Sequence, residues 1–449
     1  MQRIAARKLK MIGVSSSSRS VIVVGAGAAG LQAARELVRA GLRVLVLEAR
    51  ARWGGRVDTR RDPRLGVAIE GGAEFVHGRP PRMLRLAREG RVRLREIDGR
   101  IVALDRGRFR PADRAFEEME ALVEAGEGEG PFSEVLDGPE ARRAGRLERE
   151  LARSFVTGYY LADPRRQSRA ALRAMSEAEE EIEADRAFRA VEGQAALLGP
   201  VARAVERGGE LRLATPVTDV RWRVGAVEVR ARGPAGAPVG PFRADRLVCT
   251  LPVGLIAAGA VRFTPSLREQ RALAARLESG AVVKVLLRFR ERFWSTRRGA
   301  APGWPDLAFA LAPRLPIQTF WTLQPLEAPV LVGWAGGPNA ARLAGRPARA
   351  VVSAALATLA RGFARPRAAL EDLLDGAEVV DWLEDPFARG GYAVFPPGTS
   401  GVPDALARPV AGTIFLAGEA TVLGAAGTVH GALESGDRAA RQVLASFSG

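Results

Sequence analysis

The sequence predicts an α/β plus α+β fold that opens on a Rossmann-like unit and continues into mixed sheet-and-helix segments. Three stretches predict it. Val21-Ile22-Val23-Val24 runs into Gly25-Ala26-Gly27-Ala28-Ala29-Gly30, a second apolar run from Arg43 to Leu47 ends at Glu48, and Gly54-Gly55-Arg56 follows at once. The first run reads as a short buried strand, and the glycines let the backbone turn tightly and approach a pyrophosphate. A helix from about Ala28 to Ala40 then carries Leu31, Ala34, Leu37 and Val38 on one side and aims its N-terminal amides at that anion. Glu48 closes the second strand about 20 residues on, where a carboxylate accepts hydrogen bonds from ribose hydroxyls and disfavours a 2′-phosphate. Strand, glycine turn, amphipathic helix and acid in that order are far more specific than a glycine-rich turn alone.

Composition bounds the remaining possibilities. At 449 residues the chain can bury a large core in two domains that share a cleft. With 47% hydrophobic and 26% charged residues it has an ordinary soluble, globular composition. The net charge is +16, yet of 67 basic residues only Lys8, Lys10 and Lys284 are lysines, and the arginines are spread along the whole length. Such dispersal reads as compositional bias, so no specific nucleic-acid partner is expected. Cys249 is the only cysteine, which excludes an intramolecular disulfide; with two histidines beside it, no metal site is expected and a reducing cytoplasm is the simplest compartment. No apolar run approaches the roughly 20 residues that span a bilayer. Residues 1–18 carry Arg3, Arg7, Lys8 and Lys10 and an apolar stretch too short for a secretory signal, so they are expected to be a disordered extension, with Met11 an alternative start.

Further elements follow in order. Residues 80 to 190 are rich in helix formers, and the acidic runs at Glu117-Glu118, Glu124 to Glu129 and Glu177 to Glu183 read as solvated helical faces. A helix with Ala195, Leu198, Val201 and Val205 precedes strands around Leu211 to Val220, Val227 to Val229 and Leu247 to Leu251, which are expected to return to the first sheet. Val282 to Phe289 reads as a strand, Phe320 to Trp334 as a tryptophan-rich segment, and Val351 to Phe363 as a helix. The chain closes with strand Ile414 to Ala417, then Gly418-Glu419, a loop of small residues, and a helix from Thr428 to about Phe447, a second strand-to-glycine-to-helix junction able to face the same ligand.

Collinear motifs across this length resemble the flavin-dependent amine oxidases, the family of monoamine oxidases, polyamine oxidases and lysine-specific histone demethylases. The resemblance rests on Val21 to Gly30 with Glu48, Arg52-Trp53-Gly54-Gly55-Arg56, Glu70 to Gly78, Lys284 with Phe289 and Phe293-Trp294, Trp382 with Asp385-Pro386, and Gly418-Glu419 through Thr428-Val429-His430-Gly431-Ala432. It implies FAD, held by residues 19–78, 191–261 and 386–449, with a substrate domain at 79–190 and 262–385. It implies cofactor contacts from Gly25, Gly27, Ala29, Gly30, Glu48, Ala49, Arg50, Gly54, Gly55, Arg56, Gly72, Ala73, Glu74, Val217, Gly418, Glu419, Thr428 and Val429. In such enzymes a lysine at the place of Lys284 holds a water against the flavin and assists reoxidation by dioxygen; taken by its position alone, Lys284 could instead be a strand lysine pointing to solvent. His77 is either a polar group near substrate or a satisfied structural histidine, and Trp382 and Tyr392 would flank the flavin ring.

Two departures from the family pattern stand out. The loop Gly424-Ala425-Ala426-Gly427-Thr428 lacks the aromatic residue that commonly forms one wall of a cage around the substrate nitrogen. Gly390-Gly391 precede Tyr392 where monoamine oxidases carry a cysteine joined to the flavin, so FAD is expected to be non-covalent. The expected activity is oxidation of an amine C–N bond, in a polyamine or another primary or secondary amine, to an imine, with dioxygen reduced to hydrogen peroxide. The surplus of positive charge suggests a pocket that disfavours ammonium. An amino-acid oxidase or polyene desaturase of the same fold, or a flavin-binding interaction protein, are the alternatives, and the sequence leaves the oligomeric state open.

Overall fold

The computed structural model describes residues 19–124, 128–297 and 302–448. The extension expected at 1–18 and part of the Glu124 to Glu129 run lie outside these residues. Five parallel strands form the first sheet, in the order Glu210–Arg212, Arg43–Leu47, Ser20–Val24, Arg246–Cys249 and Ile414–Leu416. Ser20–Val24 lies at its centre and is buried on both faces, which is why it reads as an unbroken apolar run. Val21 and Val23 pack under the helices Ala28–Arg39, Gln194–Gly208 and Val429–Ala445, while Ile22 and Val24 share the opposite core with Val220, Val227 and Val229.

The strands expected between Leu211 and Leu251 do not all return to this sheet. Glu210–Arg212 and Arg246–Cys249 do, but Val217–Arg223 and Ala226–Arg232 join Pro238–Ala244 and Arg262–Thr264 in a separate four-stranded sheet. The cause is visible in Ala226–Arg232, where Val227, Val229 and Ala231 are buried but Arg230 and Arg232 are exposed. Such alternation suits a sheet with one wet face, whereas a central parallel strand needs both faces apolar.

A seven-stranded sheet carries the second layer, in the order Leu374–Asp381, Val282–Phe289, Val330–Gly336, Thr319–Thr322, Leu307–Leu311, Arg100–Asp105 and Arg108–Pro111. Val283, Val285 and Leu287 face the helix Ala348–Gly362 through Val351, Ala355 and Leu359. Leu286 faces the other way, toward Trp321 and Val332, and Lys284 points to that side too, its Nζ 5.3 Å from the Trp321 ring centre. Three helices, Asp113–Glu124, Arg146–Gly158 and Arg169–Glu180, pack on one another through Met119, Leu151, Val156, Leu172 and Met175 and wall the space between the two sheets.

The two ends of the described chain meet. The helix Val429–Ala445 crosses Ala28–Arg39 so closely that a β-carbon at Gly436 would stand 2.4 Å from the Ala29 carbonyl oxygen, and Gln32 Nε2 donates to Asp437 Oδ1 at 2.6 Å.

Candidate active site

The glycine turn is shaped by contact on one side and by open space on the other. Gly25 has φ +100°, and a β-carbon there would lie 2.5 Å from Thr250 Oγ1; one at Gly30 would lie 2.0 Å from the Gly25 carbonyl oxygen. Gly27 is different: it is extended, and the nearest atom to a β-carbon there is the Gly54 carbonyl at 4.0 Å. The chain therefore leaves a cradle beside Gly27, at the start of the Ala28–Arg39 helix, where free amides meet an anion. That cradle fits the diphosphate of a dinucleotide.

Glu48 is buried and pre-set for a ribose. Its Oε2 accepts from the Ala26 amide at 2.7 Å and its Oε1 from the Arg50 amide at 2.8 Å, leaving the remaining lone pairs for hydroxyls. On the far side of the cradle, Arg56 Nη1 donates to Glu419 Oε1 at 2.9 Å and to the Gly391 carbonyl, and the Gly427 amide donates to Glu419 Oε2 at 3.1 Å. Glu419 thus ties the early glycine loop to the late one. Thr428 caps the last helix by accepting from the Gly431 amide at 3.0 Å, and Val429 and His430 open that helix on the same cavity.

This cavity has a volume of about 1180 Å³. Every residue expected to contact cofactor or substrate lines it except Gly30, which supports the turn from behind. Val217 lines it at the start of its own sheet, away from the parallel strands.

Lys284 does not point to solvent; it is 0% exposed. Its Nζ donates to the Glu74 carboxylate at 2.7 Å, to the Glu70 carbonyl at 2.7 Å and to the Gly72 carbonyl at 3.1 Å, so all three ammonium hydrogens are engaged. Glu74, expected among the cofactor contacts, lines the cavity, but its oxygens are held by Lys284, by Arg189 Nη1 at 2.7 Å and by Trp321 Nε1 at 2.8 Å. Burial pushes the Glu74 carboxyl upward, but the cations Lys284 and Arg189 outweigh it and hold it below the ordinary carboxylate range. Glu70 has no such cation in contact. Burial raises it to about 7, although the Gln194 amide and the Thr59 hydroxyl bond to its carboxyl.

Beyond the network lies an aromatic chamber. Trp382 donates its Nε1 to the Gly71 carbonyl at 2.9 Å, beside Gly72. Tyr392 donates its hydroxyl to the Tyr159 carbonyl and packs against Gly427. Tyr159 stacks on Phe155 at 4.8 Å and meets His77 edge-on at 5.6 Å. Burial holds both His77 and His430 down at about 4, and His430 is lowered further by the nearby His77, so both are neutral at pH 7.

The acidic runs are largely exposed, as read, with Glu117, Glu124, Glu177, Glu180, Glu181 and Glu183 open to solvent; Glu124, Glu180 and Glu183 also edge the cavity, and Glu179 departs from the reading by turning into it. Glu179 is drawn in furthest: its Oε1 accepts from the Tyr159 hydroxyl at 3.1 Å, and burial raises it to about 7 despite that bond. A chamber hostile to ammonium, suggested by the net charge, is not what the lining carries. Sequence reading also missed Arg189, Trp321, Tyr159 and Tyr160. Rarity was an available signal, since all three tyrosines, both histidines and the one lysine beyond residue 10 line this cavity.

Comparison with known proteins places the chain. The model of the flavin containing amine oxidoreductases matches residues 28–130 and 132–444. Among curated proteins, the chain is 26% identical over 457 residues to human (Homo sapiens) lysine-specific histone demethylase 2, covering 95% of this chain and 54% of that protein. It is 28% identical over 453 residues to lysine-specific histone demethylase 1 homolog 2 of Arabidopsis thaliana, covering 95% of this chain and 58% of the relative. The chain therefore spans about half the length of the curated relatives it matches. Among solved structures, cyclohexylamine oxidase from Brevibacterium oxydans IH-35A shares the fold with a TM-score of 0.77 at 23% identity, covering 96% of this chain and 100% of that one. Putrescine oxidase bound to putrescine does so with a TM-score of 0.76 at 21% identity, covering 95% and 99%. The chain belongs to the flavin containing amine oxidoreductase family, and FAD is its cofactor.

Proposed function

We propose that this chain oxidises the C–N bond of a primary or secondary amine to an imine, which water hydrolyses, with dioxygen as the final acceptor and hydrogen peroxide as product. The observation that carries the reading is one continuous cavity, running from the dinucleotide cradle at Gly27 to a chamber of Tyr159, Tyr392, Trp382 and His77, and lined further out by exposed Asp98, Glu120, Glu124 and Asp185, with Glu96 there paired to Arg186. An acidic mouth attracts a cation and is poorly suited to a polyene. An extended amine of the polyamine kind is the class favoured. The names of the relatives, a cyclohexylamine oxidase, a putrescine oxidase and histone lysine demethylases, all refer to amines.

Bound FAD supplies a two-electron acceptor for the hydride lost by the carbon beside nitrogen. The protein's own work is positional and electrostatic. Gly27 and the first amides of the Ala28–Arg39 helix hold the diphosphate, Glu48 the ribose, and the Thr428-Val429 helix start offers amides that stabilise negative charge. Trp382 and Tyr392 flank the reacting centre, and neutral His77 offers a hydrogen bond without adding charge. Lys284 acts in reoxidation as a fixed cation; its bond to Gly72 is the longest of its three and the one that a water can take over. Gly390 and Gly391 carry no nucleophile, and Cys249 is buried in the parallel sheet with its thiol raised to about 11, so the cofactor is held non-covalently.

The visible spectrum of the purified protein, followed by anaerobic mixing with polyamines, monoamines, secondary amines and amino acids, tests the reading. Bleaching by one amine class supports it. A bound flavin that no amine reduces overturns it.

A further inference from the structure

The absent aromatic wall leaves a question of what faces the substrate nitrogen in its place. The helix Arg169–Glu180 presses on the loop concerned: a β-carbon at Gly424 would lie 2.8 Å from the Ala178 methyl. The next residue, Glu179, turns into the cavity and is held there by the Tyr159 hydroxyl at 3.1 Å. Among the described residues, salt bridges occupy Glu177 (with Arg173) and Glu183 (with Arg186), and none involves Glu179. A second observation is independent of the acids. Tyr160 is 5% exposed and lines the same cavity, and no hydrogen bond among the described residues reaches its hydroxyl. A hydroxyl on a buried tyrosine that no hydrogen bond reaches, beside a half-buried carboxylate without a cation, both facing the cavity, is an arrangement completed by a ligand bearing N–H donors and positive charge.

We propose that Glu179 anchors the substrate's ammonium group and takes one proton from it, with the Tyr160 hydroxyl as a second polar contact. The inference rests on the amine reading above and adds a residue and a step to it. One N–H bond of the ammonium breaks, its proton forms an O–H bond on a Glu179 oxygen, and the electron pair stays on nitrogen as the lone pair of a neutral amine. No oxidant enters this step. The neutral amine is the form from which a hydride can leave the adjacent carbon. The groups that face Glu179 are Tyr159, Tyr160 and Tyr392, with Glu120 and Glu124 reaching Tyr160 from the Asp113–Glu124 helix and His77 lying against Tyr159. The tyrosines are raised well above their ordinary range by burial and stay protonated, and His77 stays neutral, so Glu179 is the innermost of these groups that titrates near pH 7.

The test uses the flavin-loaded protein and Glu179→Gln. The first probe is tert-butylamine, which has no hydrogen on the carbon beside nitrogen and cannot be oxidised. By calorimetry at pH 8 the wild type should bind it about tenfold more tightly than the variant, the weight of one charge-assisted contact, and binding should weaken below pH 7 in the wild type alone. The second readout is the anaerobic rate of flavin reduction by benzylamine, cyclohexylamine and putrescine, whose acid limb near pH 7 should vanish in Glu179→Gln. Equal binding and an unchanged limb in the variant overturn the assignment even if amines are oxidised. Glu179-dependent binding with no amine reducing the flavin supports the subsite while removing the oxidase reading. Should Glu179→Gln fail to fold, Tyr160→Phe replaces it: weaker tert-butylamine binding supports the subsite, and unchanged binding overturns it.

Discussion

Lys284→Met removes a fully buried cation. At 2.7 Å the pair with Glu74 carries about 6 kcal/mol of attraction at an effective dielectric of about 20. Desolvation of both ions consumes much of this, and stripping one partner from a buried pair costs about 3–5 kcal/mol. Arg189 still answers Glu74 at 2.7 Å, and methionine fills most of the lysine stem, so the loss belongs at the lower end, ~3 kcal/mol. For 449 residues, an unfolding entropy of about 2.1 cal/mol/K per residue gives about 0.9 kcal/mol/K, and hence a fall in Tm of roughly 3 °C if the chain melts as one unit. Scanning calorimetry of wild type, Lys284→Met, Glu74→Gln and the double variant checks the reasoning. Glu74→Gln should cost more, because it leaves two cations around a neutral amide, and adding Lys284→Met to it should recover stability instead of losing more. A single variant within about 1 °C of wild type, or strictly additive losses, would show that the charge is not buried against Glu74 as described.

Lys284→Met should also keep FAD bound yet slow reoxidation of the reduced flavin; stopped-flow mixing with dioxygen reads the rate, and an unchanged rate removes the lysine from that role. Glu48→Ala deletes the acceptor of the Ala26 and Arg50 amides as well as the ribose contact, so titration of flavin-free protein with FAD should show affinity lowered about 30-fold, equivalent to about 2 kcal/mol. Gly30→Ala forces a methyl onto the Gly25 carbonyl and should abolish flavin retention, whereas Gly401→Ala, where nothing lies within 4 Å and φ is −86°, should spare it. Glu70 is raised from 4.5 to about 7 in the folded state, so between those values the folded protein holds the extra proton and stability falls as pH rises. His77 and His430, lowered from 6.5 to about 4, act with the opposite sign, so the informative quantity is the difference between Glu70→Gln and wild type. Chemical unfolding at pH 5, 6 and 7 should show the variant losing about 1.4 kcal/mol less per pH unit, and parallel curves would refute the shift.

The cofactor half of the site was legible because its physics is local. Tight turns, free helix amides and a carboxylate at a strand end all lie within about 30 residues, the span of a single strand–helix–strand unit. The chamber was not legible in the same way. Glu179 sits in an acid-rich helical run that looks solvated by charge density, and only the packing of that helix against the Leu423–Ala425 turn brings it inward. Arg189 was invisible because it is one arginine among many, and its partner Glu74 lies 115 residues away. Lys284 stood out by rarity, but the strand pattern alone allowed a solvent-facing reading until the second face of the sheet was seen to be covered by Trp321. The same limit misassigned Val217–Arg223 to the first sheet, since β-pairing partners are set by tertiary contact more than by local pattern.

The central strand of the parallel sheet is translated long before the edge strand Ile414–Leu416, which pairs with Arg246–Cys249, and Val429–Ala445 then lies across the Ala28–Arg39 helix. Synthesis therefore imposes a waiting time. At about 5–20 residues per second, the glycine turn exists for roughly 20–80 seconds before its second wall has been translated. FAD supplied early in translation has no complete cleft to enter, and the stabilisation that a tight ligand confers by mass action becomes available only once Val429–Ala445 has been made. Until then the apolar faces of Ser20–Val24 and Ala28–Arg39 depend on whatever shields nascent chains. Cellular yield should accordingly respond more to elongation rate and chaperone supply than to flavin level, until the helix Val429–Ala445 has emerged.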